Sequence, residues 1–408
     1  MESPAVYLDY NATTPIAPEV LDALLPYLQH GYGNASSSYS LGQQAKRAVE
    51  TARQQIATML EADDANEILL LSGGTESINN AIKGSAAAEE KQQRAKGGRV
   101  RNHIITSLVE HVAVLETCRY LERERGYEVT YLPVDAYGRV TPEAVVAALK
   151  PSTFLISLML ANNEVGTLNP IAEVVQRVQQ FVQAHPEDYN RVLVHTDASQ
   201  AIGKINVSVK TLGVDFLTIA GHKLYAPKGI GALYVRHDAP PPEVLIHGAS
   251  HEHGRRAGTE NVAFDVALGK ACALVSENLG TYETAMKVSK QYLLDAITKE
   301  IQGLDVEFCV NGHPDYVLPN TLSVSFKNVS AVQLLAYIET RGICASAGSA
   351  CHTHTEGEDV KISGVLQAMN VPREFALGTL RLSVGRATTR DDLSRAAQAI
   401  AEGIRQQR

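Results

Sequence analysis

The sequence predicts an α/β fold, a mostly parallel sheet covered by helices and followed by a smaller α+β unit. Short apolar runs alternate with helix-length amphipathic stretches through the first two-thirds of the chain. The residues that carry chemistry sit where those runs end, and the texture changes after Ala239-Pro-Pro-Pro242, where long helical pattern takes over. The candidate strands of the first part are residues 67–71, 103–106, 129–132, 154–159, 192–195, 216–219 and 231–235. Helical patterns fill most of the gaps, such as 112–124, closed by Gly126, and 171–184, closed near Pro186. The polar run 89–101 reads as a solvated helix end and loop, broken at Gly97-Gly98. Beyond residue 260, a helix to about 301, strands near 321–326 and 380–384, and a helix from 390 to about 405 complete the smaller unit. The expected division is 15–260 for the large unit and 1–14 with 261–408 for the small one.

Composition narrows the function class. With 45% apolar residues, 408 residues can build large cores. The 37 basic and 45 acidic side chains leave a formal charge of −8, so no broad basic face for nucleic acid or anionic membrane is expected. No run approaches the roughly 20 apolar residues that span a bilayer, and Met1-Glu2-Ser3-Pro4 lacks a leader pattern. A cytoplasmic protein is the expectation. Five scattered cysteines (Cys118, Cys272, Cys309, Cys344 and Cys351) argue against a disulfide framework.

Three motifs could carry chemistry. Leu71-Ser-Gly-Gly-Thr-Glu-Ser77 follows a strand and opens a helical pattern, so free N–H groups and the helix N-terminus could hold a phosphate. A plain turn with a Ser or Thr cap reads the same way. The spacing is neither G-x-G-x-x-G nor a P-loop, which disfavours dinucleotides and nucleoside triphosphates. Next, Asp197 ends one apolar strand and Lys223 follows another, in Ala220-Gly-His-Lys223. A carboxylate for a pyridine nitrogen, a desolvated amine and a phosphate cradle are what pyridoxal phosphate needs. Taken singly, each has a bland counterpart in a helix cap or a surface charge. Third, Gly348-Ser-Ala-Cys351-His-Thr-His354 places a thiol among small residues, with His352 and His354 to tune it. The other four cysteines fit buried, inert positions. Zinc at Cys351, His352 and His354 with His247, His251 and His253 is an alternative without supporting spacing, and no metal is expected.

Together these sites resemble the class V aminotransferase family, and within it the NifS-like cysteine desulfurases and selenocysteine lyases. The resemblance runs from Tyr7-Leu-Asp-Tyr-Asn-Ala-Thr-Thr-Pro15 through Glu110-His111, Ala161-Asn-Asn-Glu164 and His195-Thr-Asp197 to Arg381-Leu-Ser-Val-Gly-Arg386. It implies fold type I of the pyridoxal-phosphate transferases, with the Cys351 loop on the small unit. It further implies that Lys223 forms the Schiff base, Asp197 pairs with the ring nitrogen, Gln200 bonds the phenolic oxygen and His111 stacks on the ring. Gly74, Thr75 and His222 would hold the phosphate, and Thr259 would reach the partner subunit's cofactor in a homodimer. Asn163 and Arg381 would grip the substrate carboxylate, with Asn34 nearby, and Cys351 would meet the substrate's sulfur or selenium. Many desulfurases carry Ser where this chain has Ala220, so one phosphate contact must come from elsewhere.

The implied activity is removal of selenium or sulfur from L-selenocysteine or L-cysteine, giving L-alanine. Local wording such as Leu160-Ala-Asn-Asn-Glu164 looks like selenocysteine lyases, whereas Gly-Ser-Ala-Cys351 looks like bacterial desulfurases. A lyase-like activity is the main expectation. The alternative is a desulfurase that builds a Cys351 persulfide and passes sulfur to an acceptor protein. An ordinary aminotransferase or a non-enzymatic sulfur carrier stands further off.

Overall fold

A computed structural model describes residues 5–348 and 362–408. Strand β1 (Val6–Tyr7) opens the chain. Seven strands then build the central sheet: β2 (Ile68–Leu71), β3 (His103–Ser107), β4 (Glu128–Leu132), β5 (Thr153–Met159), β6 (Leu193–Asp197), β7 (Phe216–Ala220) and β8 (Gly231–Val235). Their spatial order is β2-β8-β7-β6-β5-β3-β4. Strands β4, β3, β5, β6 and β7 pair in parallel, while β8 runs antiparallel to both β7 and β2. All seven predicted strands form, with ends shifted by at most two residues. Every residue of β5, β6 and β7 is buried, as a sheet covered on both faces requires.

Four further strands belong to the second part of the chain: β9 (Phe308–Asn311), β10 (Thr321–Phe326), β11 (Ile343–Cys344) and β12 (Thr379–Ser383). β10 lies between β12 and β9, antiparallel to each, and β1 pairs in parallel with β11. Val6 and Leu8 therefore pack with Leu322, Val324, Leu380 and Ile400 in a core separate from that of the large sheet. The helix Val262–Glu300 is 39 residues long, about 58 Å at 1.5 Å per residue, and serves both cores. Leu268, Cys272 and Val275 face the large core, whereas Met286, Leu293 and Ile297 face the small one.

The predicted helices at 112–124 and 171–184 appear as Val112–Arg125 and Ile171–Ala184. The run 89–101 is a helix end and loop that breaks at Gly97, as expected, but its two ends are not solvated. Glu89 and Arg101 form a salt bridge at 2.8 Å with both side chains largely buried, and Arg101 also donates to the Arg191 carbonyl at 2.8 Å. Arg101 thereby ties the first half of the helix Ser85–Lys96 to the segment that leads into β3, which polarity alone does not reveal.

Candidate active site

Gly74, Thr75, His111, Asn163, Asp197, Gln200, His222 and Lys223 lie at or just past the carboxyl ends of β2, β3, β5, β6 and β7, the edge where open α/β sheets bind ligands. After β2 the chain turns at Gly73, whose φ of 154° suits glycine. A Cβ on Gly231 would lie 2.7 Å from the Gly73 Cα, so β8 and this turn approach too closely for a side chain. No side chain caps the helix Gly74–Asn79, in contrast to the plain capped turn. The first bond across this turn is from Ser77 N–H to the Gly73 carbonyl, which leaves the N–H groups of Gly74 and Thr75 for a ligand. Thr75 is exposed, and a Cβ at Gly74 would meet Ala220 at 3.1 Å and the Ser199 hydroxyl at 3.4 Å.

Lys223 sits in the short turn after β7, half-buried. Its Nζ donates to the carbonyls of Asn11 at 2.5 Å and Ala12 at 2.7 Å. Desolvation, helped by the Arg381 charge, pulls its pKa down to about 8, against an opposing pull from Asp9 and Asp197. Part of the population is thus neutral and nucleophilic near neutral pH. Asp197 is buried at the end of β6 and accepts from Ser199 N–H at 2.9 Å. His111 caps the helix Val112–Arg125, with Nδ1 accepting from Ala113 N–H at 3.2 Å. Its ring is open to solvent yet hemmed in by protein, and desolvation lowers its pKa. His222 approaches Thr13 Oγ1 at 3.2 Å, and desolvation lowers its pKa to about 4.

One residue that the motifs did not single out holds the cluster together. Asn11 is 1% exposed, and all its polar groups are engaged. Its carbonyl accepts from both Lys223 and Gln200 Nε2, the latter at 3.0 Å. Its side chain accepts from Lys204 and Asn320 at 3.0 Å each, and donates to Thr321 Oγ1 at 2.9 Å and the Asn163 carbonyl at 3.3 Å. Arg381, on β12, donates to Asp9 Oδ1 at 2.7 Å and the Asn163 carbonyl at 3.1 Å, while its buried Nε has no partner. Beneath His111, Glu110 is fully buried. Desolvation raises its pKa to about 8, so it stays protonated at neutral pH. Asn11 offered no signal beyond its place in the Tyr7 to Pro15 motif, because its partners lie 152 to 372 residues away in sequence.

Comparison with known proteins decides the family. The class V aminotransferase model matches residues 6–396. The chain belongs to the class V aminotransferase family. A cysteine desulfurase IscS of Methanosarcina thermophila is 42% identical over 407 residues, covering 100% of this chain and 94% of its own. Among solved structures, a NifS-like protein superposes with a TM-score of 0.84 at 34% identity over 98% of both chains. The structure entitled SspA in complex with cysteine superposes with a TM-score of 0.76 at 32% identity, covering 94% of this chain and 99% of that one. The chain is a pyridoxal-phosphate-dependent enzyme with the α/β fold of the NifS-like proteins.

The residues present fit that cofactor. A desolvated amine, a buried carboxylate at a strand end, an imidazole beside both and an uncapped glycine turn form one cluster. Asn34, expected near the substrate carboxylate, and Thr259, expected at the partner subunit's cofactor, lie outside this cluster. Asn34 is exposed, its Oδ1 accepting only from Ser36 N–H at 2.8 Å, and Thr259 is exposed; among the described residues no hydrogen bond joins either to the cluster. Cys351, with His352 and His354, lies outside the described residues. The expectation of four buried cysteines holds for Cys118 and Cys272 but not for Cys309 and Cys344, which are exposed. Cys309 lies on the edge strand β9 and Cys344 on the two-residue β11, so each faces outward from a strand with one neighbour.

Proposed function

We propose that this enzyme is a cysteine desulfurase, which takes sulfur from L-cysteine and leaves L-alanine. The observation that carries the reading is the Lys223 amine, desolvated to a pKa of about 8 within reach of the Asp197 charge, in a chain 42% identical to an IscS desulfurase. The names of the similar proteins favour this alternative over the lyase activity that the local wording suggested. The cofactor supplies an electrophilic aldehyde and an electron-accepting ring.

The chain's own residues would do the rest. Lys223 would hold the cofactor's aldehyde and would take the substrate's α-proton on Nζ. Asp197 would hold the cofactor's ring nitrogen protonated, Gln200 would donate to its phenolic oxygen, and His111 would pack beside it. Gly74, Thr75 and His222 hold the phosphate. The substrate carboxylate is held by Arg381 and the Asn163 side chain, with Asn34 nearby; an arginine fork suits two-point binding. The Cys351 thiolate would attack the substrate sulfur. The bonding pair of the broken carbon–sulfur bond would stay on the β-carbon, which takes a proton on the way to alanine, and the persulfide formed on Cys351 would pass its outer sulfur to an acceptor protein. Exposed Thr259 reaches the partner's phosphate in a homodimer. Exposed Ile16, Leu21, Leu28 and Tyr32 offer apolar surface for such contacts. We read residues 15–260 and 1–14 with 261–408 as the two units, working in the cytoplasm; no helix of the described residues is long and apolar enough to cross a membrane.

The test is a paired rate measurement on L-cysteine and L-selenocysteine with alanine quantified, for the wild type and Cys351→Ala. Turnover of cysteine that falls at least about 100-fold in the variant supports the desulfurase. Cysteine turnover unchanged by the substitution removes Cys351 from the mechanism, and activity confined to selenocysteine returns the reading to a lyase.

A further inference from the structure

Lys204 is 4% exposed, and its head group lies in the polar cluster beside Gln200 and Asn11. Its Nζ donates to Gln200 Oε1 at 2.7 Å and to Asn11 Oδ1 at 3.0 Å. Among the described residues no carboxylate pairs with it, which is unusual for a buried lysine. A neutral amine has two N–H donors, and two amide oxygens take both; an ammonium would keep a third donor without a partner. Burial, with the charges of Lys223 and Arg381, moves its pKa in the same direction, well below the usual lysine value.

This contact fixes an orientation that a free amide lacks. The two ends of a glutamine side chain have nearly the same shape, so only its partners decide which end is the donor. With Oε1 held by Lys204, Nε2 spends one hydrogen on the Asn11 carbonyl at 3.0 Å and keeps the other. Reversed, the amide would set its oxygen against the Asn11 carbonyl, a repulsion, and would leave one lysine N–H without an acceptor.

We infer that Lys204 is a positioning residue, whose amine locks the Gln200 amide so that one Nε2–H remains for an acceptor atom of the bound cofactor. The inference rests on the reading of Gln200 as a contact to the cofactor's phenolic oxygen. Loss of a donor to that oxygen raises the pH midpoint of the cofactor's visible absorbance change, by about one unit for one hydrogen bond to a charged group. A lysine that serves the fold alone would change the melting temperature and leave that midpoint where it is.

The experiment is an absorbance titration of the reconstituted wild type, Lys204→Met, Gln200→Leu and the double variant. Each single variant is expected to raise the midpoint by about one unit, and the double by no more than either. A wild-type midpoint in Lys204→Met beside a shifted Gln200→Leu overturns the inference, as does a double variant that shifts by the sum. Lys204→Leu, which also lacks a donor, serves if Lys204→Met does not fold, with the same expected rise and the same overturning result. If Gln200→Leu leaves the midpoint unmoved, the cofactor role of Gln200 fails instead. The apo-protein then decides for Lys204. Exchange of the Gln200 side-chain amide hydrogens should be at least about tenfold faster in the position-204 variant, and an unchanged rate overturns the lock.

Discussion

Lys223 donates to the backbone carbonyl of Asn11 at 2.5 Å, and that same carbonyl accepts from Gln200. Asn11 lies two residues past Asp9, which bridges to Ser383 on β12, and with Val6 and Leu8 in one core and Tyr10 in the other the beginning of the chain joins the two. Desolvation and the Arg381 charge lower the pKa of this amine to about 8, against the opposing pull of Asp9 and Asp197.

Asn11→Ala keeps the carbonyl but strips the side chain from Lys204, Asn320 and Thr321. Buried donors left unpaired cost about 1–3 kcal/mol each, so a loss of about 2–4 kcal/mol is expected in denaturant unfolding. A stability within about 0.5 kcal/mol of the wild type would show that the side chain holds nothing together.

Arg381→Lys retains the charge but loses the planar fork. Since Arg381 already uses Nη1 and Nη2 on Asn163 and Asp9, its remaining donors must meet the carboxylate in a fixed plane. KM for the amino acid should rise at least about tenfold, with kcat changed much less. Steady-state kinetics at fixed pH checks this, and an unchanged KM would remove Arg381 from substrate binding.

The loop that carries Thr259 is tied down by a buried pair. Arg53 and Glu252 meet at 2.6 Å and 2.8 Å, and Glu252 also accepts from Leu70 N–H at 2.9 Å. Arg53→Met strands a buried carboxylate and should cost about 3–5 kcal/mol, with faster loss of cofactor on dialysis. Arg53→Met with Glu252→Leu should recover most of that stability in the same unfolding assay.

Glu110 has a pKa of about 8 in the fold against an ordinary value of 4.5. The folded state binds this proton more tightly than the unfolded chain. Its contribution to stability is therefore full below about pH 4.5 and is lost as pH rises through 8. Glu110→Gln lacks this loss, so the melting temperature of the variant relative to the wild type should rise by about 2–6 °C between pH 5 and 8.5. A variant melting temperature that stays level or falls relative to the wild type over that range contradicts a protonated Glu110.

Much of the fold could be read from the order of residues, because parallel strands buried on both faces appear as apolar runs and their ends are marked by Gly, Asp or Lys. β1, β9 and β11 escaped, being short or half-exposed, with pairing set by distant partners. Within the site, Gly74, Asp197 and Lys223 stood out because each ends a run. Lys204 and Glu110 did not, since a lysine and a glutamate ordinarily mark surface, and only tertiary packing shows that they are buried without a counter-charge. The solvated reading of Glu89 failed for the same reason, its partner Arg101 lying past the Gly97-Gly98 break.

The account depends most on which amine carries the cofactor, for Lys204 and Lys223 both lie against Asn11. Borohydride reduction of the holo-protein followed by peptide mapping answers it. The account predicts a pyridoxyl label on Lys223 alone, and none in Lys223→Ala; a label on Lys204, or on any other lysine of the wild type, would contradict it.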